Sequence, residues 1–291
     1  MRKMTMAAPA KVNLALDILR RREDGYHDMR MVMQAISLCD TVTVEETDNG
    51  FLLETGGDFI PAGKKTLEQR AAEAFFETIG QPVPGLRVTL EKVTPAYAGL
   101  GGGSADVAAL LRLLRDAYCP EMAAEELERI GFLVGSDMPF CVRGGTALAE
   151  GRGEVLTDLP ALPACTFVLC KPDFGIPTPT LFALVDGEEL RRRPDIDGML
   201  AALAARDLEG VAARLGNVFE EVLPKEYHEV FRIRDQLQNL GALNAAMSGS
   251  GPTVFGVFRE SETAVCAAEV LKQTYAQTYL ARPVKKGCKV V

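Results

Sequence analysis

The strongest constraint on this chain is the segment Pro95-Ala96-Tyr97-Ala98-Gly99-Leu100-Gly101-Gly102-Gly103-Ser104-Ala105. Before it, Leu86, Val88 and Leu90 alternate with polar residues, the period of a strand. After it, Val107, Leu110, Leu111 and Leu114 recur at helical spacing. A chain that passes from strand to helix through Gly99, Gly101, Gly102 and Gly103 exposes backbone N–H groups with no side chains in the way. The partial positive charge of the helix N-terminus lies behind them. Such a turn suits a phosphate. It is not a Walker A loop, since no Gly-Lys-Ser/Thr follows, and Ser104 stands where a dinucleotide fingerprint counted from Gly99 needs its third glycine. Ser104 is a candidate cap for the helix, or a hydroxyl within reach of a phosphate or a metal ion. A ligand-free strand–helix joint would need fewer glycines.

The 291 residues suffice for one large or two ordinary domains. A net charge of −8 argues against nucleic acid or an anionic membrane as the main partner. No apolar run reaches the ~20 residues of a membrane helix, and the start of the chain lacks the apolar region of a signal peptide. Cys39, Cys119, Cys141, Cys165, Cys170, Cys266 and Cys288 contain no C-x-x-C pair and read as reduced thiols, so a cytoplasmic location is expected.

The periodicity predicts an α+β chain with a boundary near Asp158-Leu-Pro-Ala-Leu-Pro-Ala164, giving domains 1–157 and 158–291. In the first, Val12, Leu14, Leu16 and Ile18 are expected on one strand face and Lys11, Asn13 and Asp17 on the other. Residues 41–45 form a second strand. A helix capped by Thr66, with Gln69 completing a capping box, ends at Gly80. Another helical pattern runs through Leu127, Ile130 and Val134 to Gly135. The second half reads as strand, helices, strand, strand, helix, strand: 165–170, a helix stopped by Gly241, 242–247, 253–258, 261–275 and 277–282. That order is the split βαβ, ferredoxin-like pattern.

Other residues gain meaning beside a phosphate loop. Lys11 alone is an edge charge, and Asp137 alone is a turn residue. Phosphoryl transfer, however, needs a cation near the developing charge and a group to orient the attacking hydroxyl. Asp24-Gly-Tyr26-His27 presents a ring and a directional hydrogen-bonding group, which base recognition uses. Ser248-Gly249-Ser-Gly-Pro-Thr253 is either a plain hairpin or a second wall of the phosphate site.

Pro9-Ala-Lys-Val-Asn13, the loop ending Gly-Leu-Gly-Gly-Gly-Ser104, and Ser248-Gly-Ser-Gly-Pro-Thr253 together resemble the three signature motifs of the GHMP kinases, in order and across nearly the whole chain. Asp24-Gly-Tyr-His27 with Gln34, Gly135-Ser-Asp-Met-Pro-Phe140 and Ile176-Pro-Thr-Pro179 resemble the branch that acts on a cytidine-diphosphate-linked polyol. The resemblance implies a two-domain fold, an N-terminal α+β nucleotide-binding domain and a ferredoxin-like C-terminal domain. It also implies ATP-dependent phosphorylation of the 2-hydroxyl of that substrate on the non-mevalonate isoprenoid route. It makes Lys11 and Asp137 the catalytic pair and residues 95–105 with Lys92 the ATP site. Tyr26 and Phe182 become a cytosine sandwich and His27 its hydrogen-bonding partner, with Asn13, Ser248 and Gly249 also on the substrate. Magnesium accompanies ATP, with Ser104 as its candidate protein ligand. A monomer or weak homodimer is expected. Another small-alcohol kinase of the mevalonate or homoserine type, and a non-catalytic nucleotide sensor, stay open as alternatives. Tyr97, where the family has a smaller residue, either walls the adenine or packs outward.

Overall fold

A computed structural model describes residues 3–56 and 65–285 and the backbone of 289–290; Cys288 lies outside the described residues. The first half contains β1 (Met4–Arg21), β2 (His27–Glu46), β3 (Phe51–Thr55), α1 (Leu67–Thr78), β4 (Leu86–Glu91), α2 (Gly102–Tyr118), α3 (Ala124–Phe132), α4 (Met138–Arg143), β5 (Thr146–Gly151) and β6 (Val155–Asp158). The second contains β7 (Thr166–Lys171), α5 (Thr178–Gly187), α6 (Ile196–Ala204), α7 (Leu208–Ala213), β8 (Gly216–Asn217), α8 (Glu229–Asn239), β9 (Asn244–Met247), β10 (Val254–Phe258), α9 (Ser261–Lys272), β11 (Gln277–Ala281) and β12 (Lys289–Val290).

Strands β1 and β2 form one long antiparallel hairpin and reach well beyond the two short strands expected. Most of β2 escapes a period-2 reading because both of its faces are covered, by α2 on one side and by α6 and β11 on the other. The alternation expected along β1 also fails. Val12 and Leu14 pack in the core between the two sheets with Leu169 and Phe255, whereas Leu16 and Ile18 join the core beneath α1 and α2. The register shift against β2 between Asn13 and Ala15 explains this. An irregularity of one residue moves every later side chain to the other face.

Thr66 caps α1 by accepting from the Gln69 amide, but the Gln69 side chain turns to Glu73, so the capping box is not reciprocal. The helix expected to run to Val134 ends at Phe132. In the second half, β11, β7, β10 and β9 form an antiparallel sheet in that order. Numbered within the unit, this is fourth–first–third–second, the split βαβ order, with α8 and α9 packed on it. The 157/158 junction falls at the end of β6. Strands β8 and β12 return from the second half to pair with β1, so the first sheet draws on both halves. Among the described residues no helix is long and apolar enough to cross a membrane.

Candidate active site

The glycine loop leads from β4 into α2. Gly101, with φ +67°, is the N-cap and offers no side-chain cap. Helix geometry leaves the amides of Gly102, Gly103 and Ser104 without intrahelical partners. Ser104 is therefore the third residue of the helix rather than its cap. A side chain at two of these glycines would meet close neighbours, fixed backbone at Gly99 and the lysine side chain at Gly101. A Cβ on Gly99 (φ +73°) would lie 2.0 Å from the Ser248 carbonyl oxygen, and one on Gly101 would lie 3.0 Å from the Lys11 side chain. The two glycine turns thus touch, backbone to backbone. Ser248, fully buried, donates its hydroxyl to the Gly99 carbonyl at 2.9 Å and accepts from the Asn13 amide at 3.3 Å. Its hydroxyl is engaged in joining the turns to β1, not turned toward a ligand.

Lys11 is no edge charge. It is buried, its amide donates to the Leu100 carbonyl at 2.9 Å, and its Nζ donates to Asn13 Oδ1 at 2.6 Å. The same Nζ lies 3.3 Å from Asp137 Oδ2, the carboxylate just ahead of α4. Alternation puts Lys11 and Asn13, and the irregularity before Ala15 adds Leu16, on the wall of one cavity of about 370 Å³, with Asp137, Tyr26, His27, Phe182 and Gly249. A second cavity, of about 870 Å³, is lined by residues 94–104, Lys92, Asp106, Leu53 and Ile176. The two cavities share Gly99, Gly101, Ser104, Thr178 and Ser250. The glycine loop is therefore a partition with a chamber on either side, and the Lys11–Asp137 pair stands in the smaller.

In the smaller chamber the aromatic rings depart from a simple open sandwich. His27 stacks on Phe182 with centroids 4.6 Å apart, and its Nε2 donates to Asp186 Oδ1 at 2.7 Å. The Arg152 guanidinium lies 3.4 Å over the Tyr26 ring. Each ring already carries a neighbour on one face. Arg152 was hidden in the Glu150-Gly-Arg-Gly-Glu154 turn, which reads in sequence only as a break.

In the larger chamber Lys92 Nζ donates to Asp40 Oδ2 at 2.5 Å and to Asp106 Oδ2. Burial pushes Asp106 up to about 7 against the pull of Lys92. Burial opposes the charge of Lys92, but Asp106 and Asp40 outweigh it and raise the ammonium above its ordinary range. Asp40 gave no sequence signal, because its partner Lys92 is 52 residues away. Tyr97 borders this chamber at φ +49°, with 68% of its surface exposed. Among the described residues no group of three or more His, Cys, Asp or Glu could cage a metal.

Residues 66–145 match the model of the GHMP kinases N terminal domain and residues 199–277 that of the GHMP kinases C terminal region. A 4-diphosphocytidyl-2-C-methyl-D-erythritol kinase of Moorella thermoacetica is 43% identical over 282 residues, covering 96% of this chain and 98% of that protein. One of Listeria monocytogenes is 39% identical over 286 residues, covering 98% and 97%. A crystal structure of 4-(cytidine 5'-diphospho)-2C-methyl-D-erythritol kinase superposes with a TM-score of 0.80 at 35% identity, covering 96% of this chain and 99% of that one. A homoserine kinase from Cytophaga hutchinsonii, 18% identical, shares the fold with a TM-score of 0.78 over 100% and 98% of the two chains. With both halves matched in order and identity sustained over nearly the full length, this chain belongs to the GHMP kinase family.

Proposed function

We propose that this protein transfers the γ-phosphoryl group of ATP to the 2-hydroxyl of 4-diphosphocytidyl-2-C-methyl-D-erythritol, a step of non-mevalonate isoprenoid precursor synthesis. The observation that carries the reading is the partition itself. Donor and acceptor have separate chambers, and the only shared wall among the described residues is the glycine loop with Thr178 and Ser250. A phosphoryl group has that border to cross. Relatives of 43% and 39% identity carrying the name of this activity support the choice of acceptor.

ATP occupies the larger chamber, residues 95–105 around its phosphates and Lys92 beside it. Helix α2 directs its open amides and its dipole at the phosphates, which stabilises negative charge without reorganisation during transfer. The acceptor hydroxyl lies at Asp137, which orients it and takes its proton. Lys11, fixed by Asn13 and hydrogen-bonded at its own backbone to the loop, stands 3.3 Å from Asp137 and offsets charge on the moving phosphoryl group. Gly249 lines the acceptor chamber, and Ser248 holds the two turns in register. Tyr26, Phe182, His27 and Arg152 form the end that receives the cytidylyl group. Arg152 and Lys11 supply positive charge for its diphosphate.

The donor set suits a magnesium ion that arrives on the phosphates. The Ser104 hydroxyl borders both chambers, and such an ion needs few protein ligands because it keeps water and phosphate oxygens. When bound, it would neutralise charge on the phosphates.

The deciding experiment is a coupled ADP-release assay with a panel of acceptors. ADP formed at the same rate with mevalonate or homoserine as with the cytidylyl compound rejects the acceptor assignment. No ADP with any acceptor rejects the kinase reading.

A further inference from the structure

A three-membered charge cluster, its two carboxylates buried, lies beneath the nucleotide chamber, and the transfer step as described gives those two acids no role. Asp40 and Asp106 are both buried and both hold Lys92 Nζ. Asp40 also accepts from the amides of Val93 and Thr94, at 2.6 and 2.7 Å. It thereby fixes the chain as it leaves β4 for the loop. A Cβ added to Gly102, the first residue of α2, would lie 3.6 Å from Asp40 Oδ2, so the same carboxylate lies against the start of the phosphate helix. Asp106 is one turn further along α2, and its Oδ1 is buried with no hydrogen-bond partner.

Two carboxylates against one ammonium, with one oxygen unsatisfied, form a poor stabilising device. Apolar packing of the same volume would serve stability better. The cluster's arrangement is directional instead. Lys92 is anchored through two of its three N–H groups. The third is left for a ligand, and the side chain lines the nucleotide chamber with 29% of its surface exposed.

We infer that Asp40 and Asp106 are positioning residues for the kinase reaction: they hold Lys92 as a fixed donor to the nucleotide and tie the end of β4 to the first turns of α2, so that the loop is preformed before ATP arrives. This rests on the larger chamber being the ATP site. A donor held in place loses less freedom on binding than a mobile lysine does, so the benefit falls on nucleotide affinity.

The test is a double-mutant cycle on the full-length protein with Lys92→Met and Asp106→Asn, isosteric at the acid. Affinity for a fluorescent ATP analogue is read directly, beside KM for each substrate and kcat. K92M is expected to weaken the analogue and raise KM for ATP about tenfold, and D106N several-fold. The double variant should be no worse than K92M, and KM for the cytidylyl acceptor should shift far less than KM for ATP. Additive losses, equal shifts in both KM values, or an unchanged nucleotide affinity in K92M overturn the inference. Should D106N be recovered unfolded, Lys92→Gln at the partly exposed member carries the test on the same readout. A wild-type protein that binds the analogue but releases no ADP fails the kinase reading and leaves the positioning role measurable.

Discussion

Gly99→Ala is the sharpest probe of the partition. The new methyl would lie 2.0 Å from the Ser248 carbonyl oxygen and 2.9 Å from the Gly251 amide nitrogen. Both obstacles are backbone, so no rotamer change relieves them. The two turns must separate by roughly 1.4 Å to restore ordinary contact. That separation stretches the Ser248–Gly99 hydrogen bond beyond use, a buried bond worth about 1 kcal/mol. Holding alanine at φ +73° costs about another 1–2 kcal/mol. A stability loss of roughly 2–3 kcal/mol is expected, with more if the overlap is only partly relieved. Displacement of a reacting group by ~1 Å costs on the order of 100-fold in rate, so kcat should fall by about that factor. Gly103→Ala is the internal contrast. Its Cβ meets only Leu67 Cδ1, at 3.8 Å, and alanine is the better helix former by about 1 kcal/mol. Urea denaturation and steady-state kinetics of the two variants side by side decide the matter. If G99A is as stable as G103A, the close approach of the two turns is wrong, and the steric argument falls with it.

Asp137→Asn should lower kcat by about 100-fold or more while leaving nucleotide affinity nearly intact; turnover at the wild-type rate removes Asp137 as the base. Tyr26→Ala should raise KM for the cytidylyl acceptor about 5- to 100-fold, since stacking on a base is worth ~1–3 kcal/mol, and an unchanged KM displaces the cytosine from that ring. Cys266, the exposed cysteine among the described residues, should react with iodoacetamide in the native protein at pH 8. Burial pushes Cys165 and Cys170 up to about 12, so they should label only on unfolding; mass spectrometry of the alkylated peptides reads this out.

The glycine loop was legible in sequence because its signal is local. A strand period, four glycines and a helix period adjoin, and each is an intrinsic preference of a few neighbouring residues. For the same reason the split βαβ order of the second half could be read, where strands are short and helices carry clear stops such as Gly241. The hairpin of β1 and β2 was not legible over most of its length, since a strand covered on both faces carries no alternation to detect.

Residue types and motif order therefore determined that this chain builds a glycine-rich strand–helix turn, and which lysine and which aspartate pair beside it. Tertiary structure alone decided that an irregularity in β1 brings Leu16 to the cavity wall that Lys11 and Asn13 line, that Gly99 and Ser248 meet across 149 residues, and that Asp40 and Asp106 converge on Lys92. The physical reason is the range of the forces. Backbone preference acts over a few residues, whereas burial and charge pairing depend on which distant segments are packed together once the core has closed.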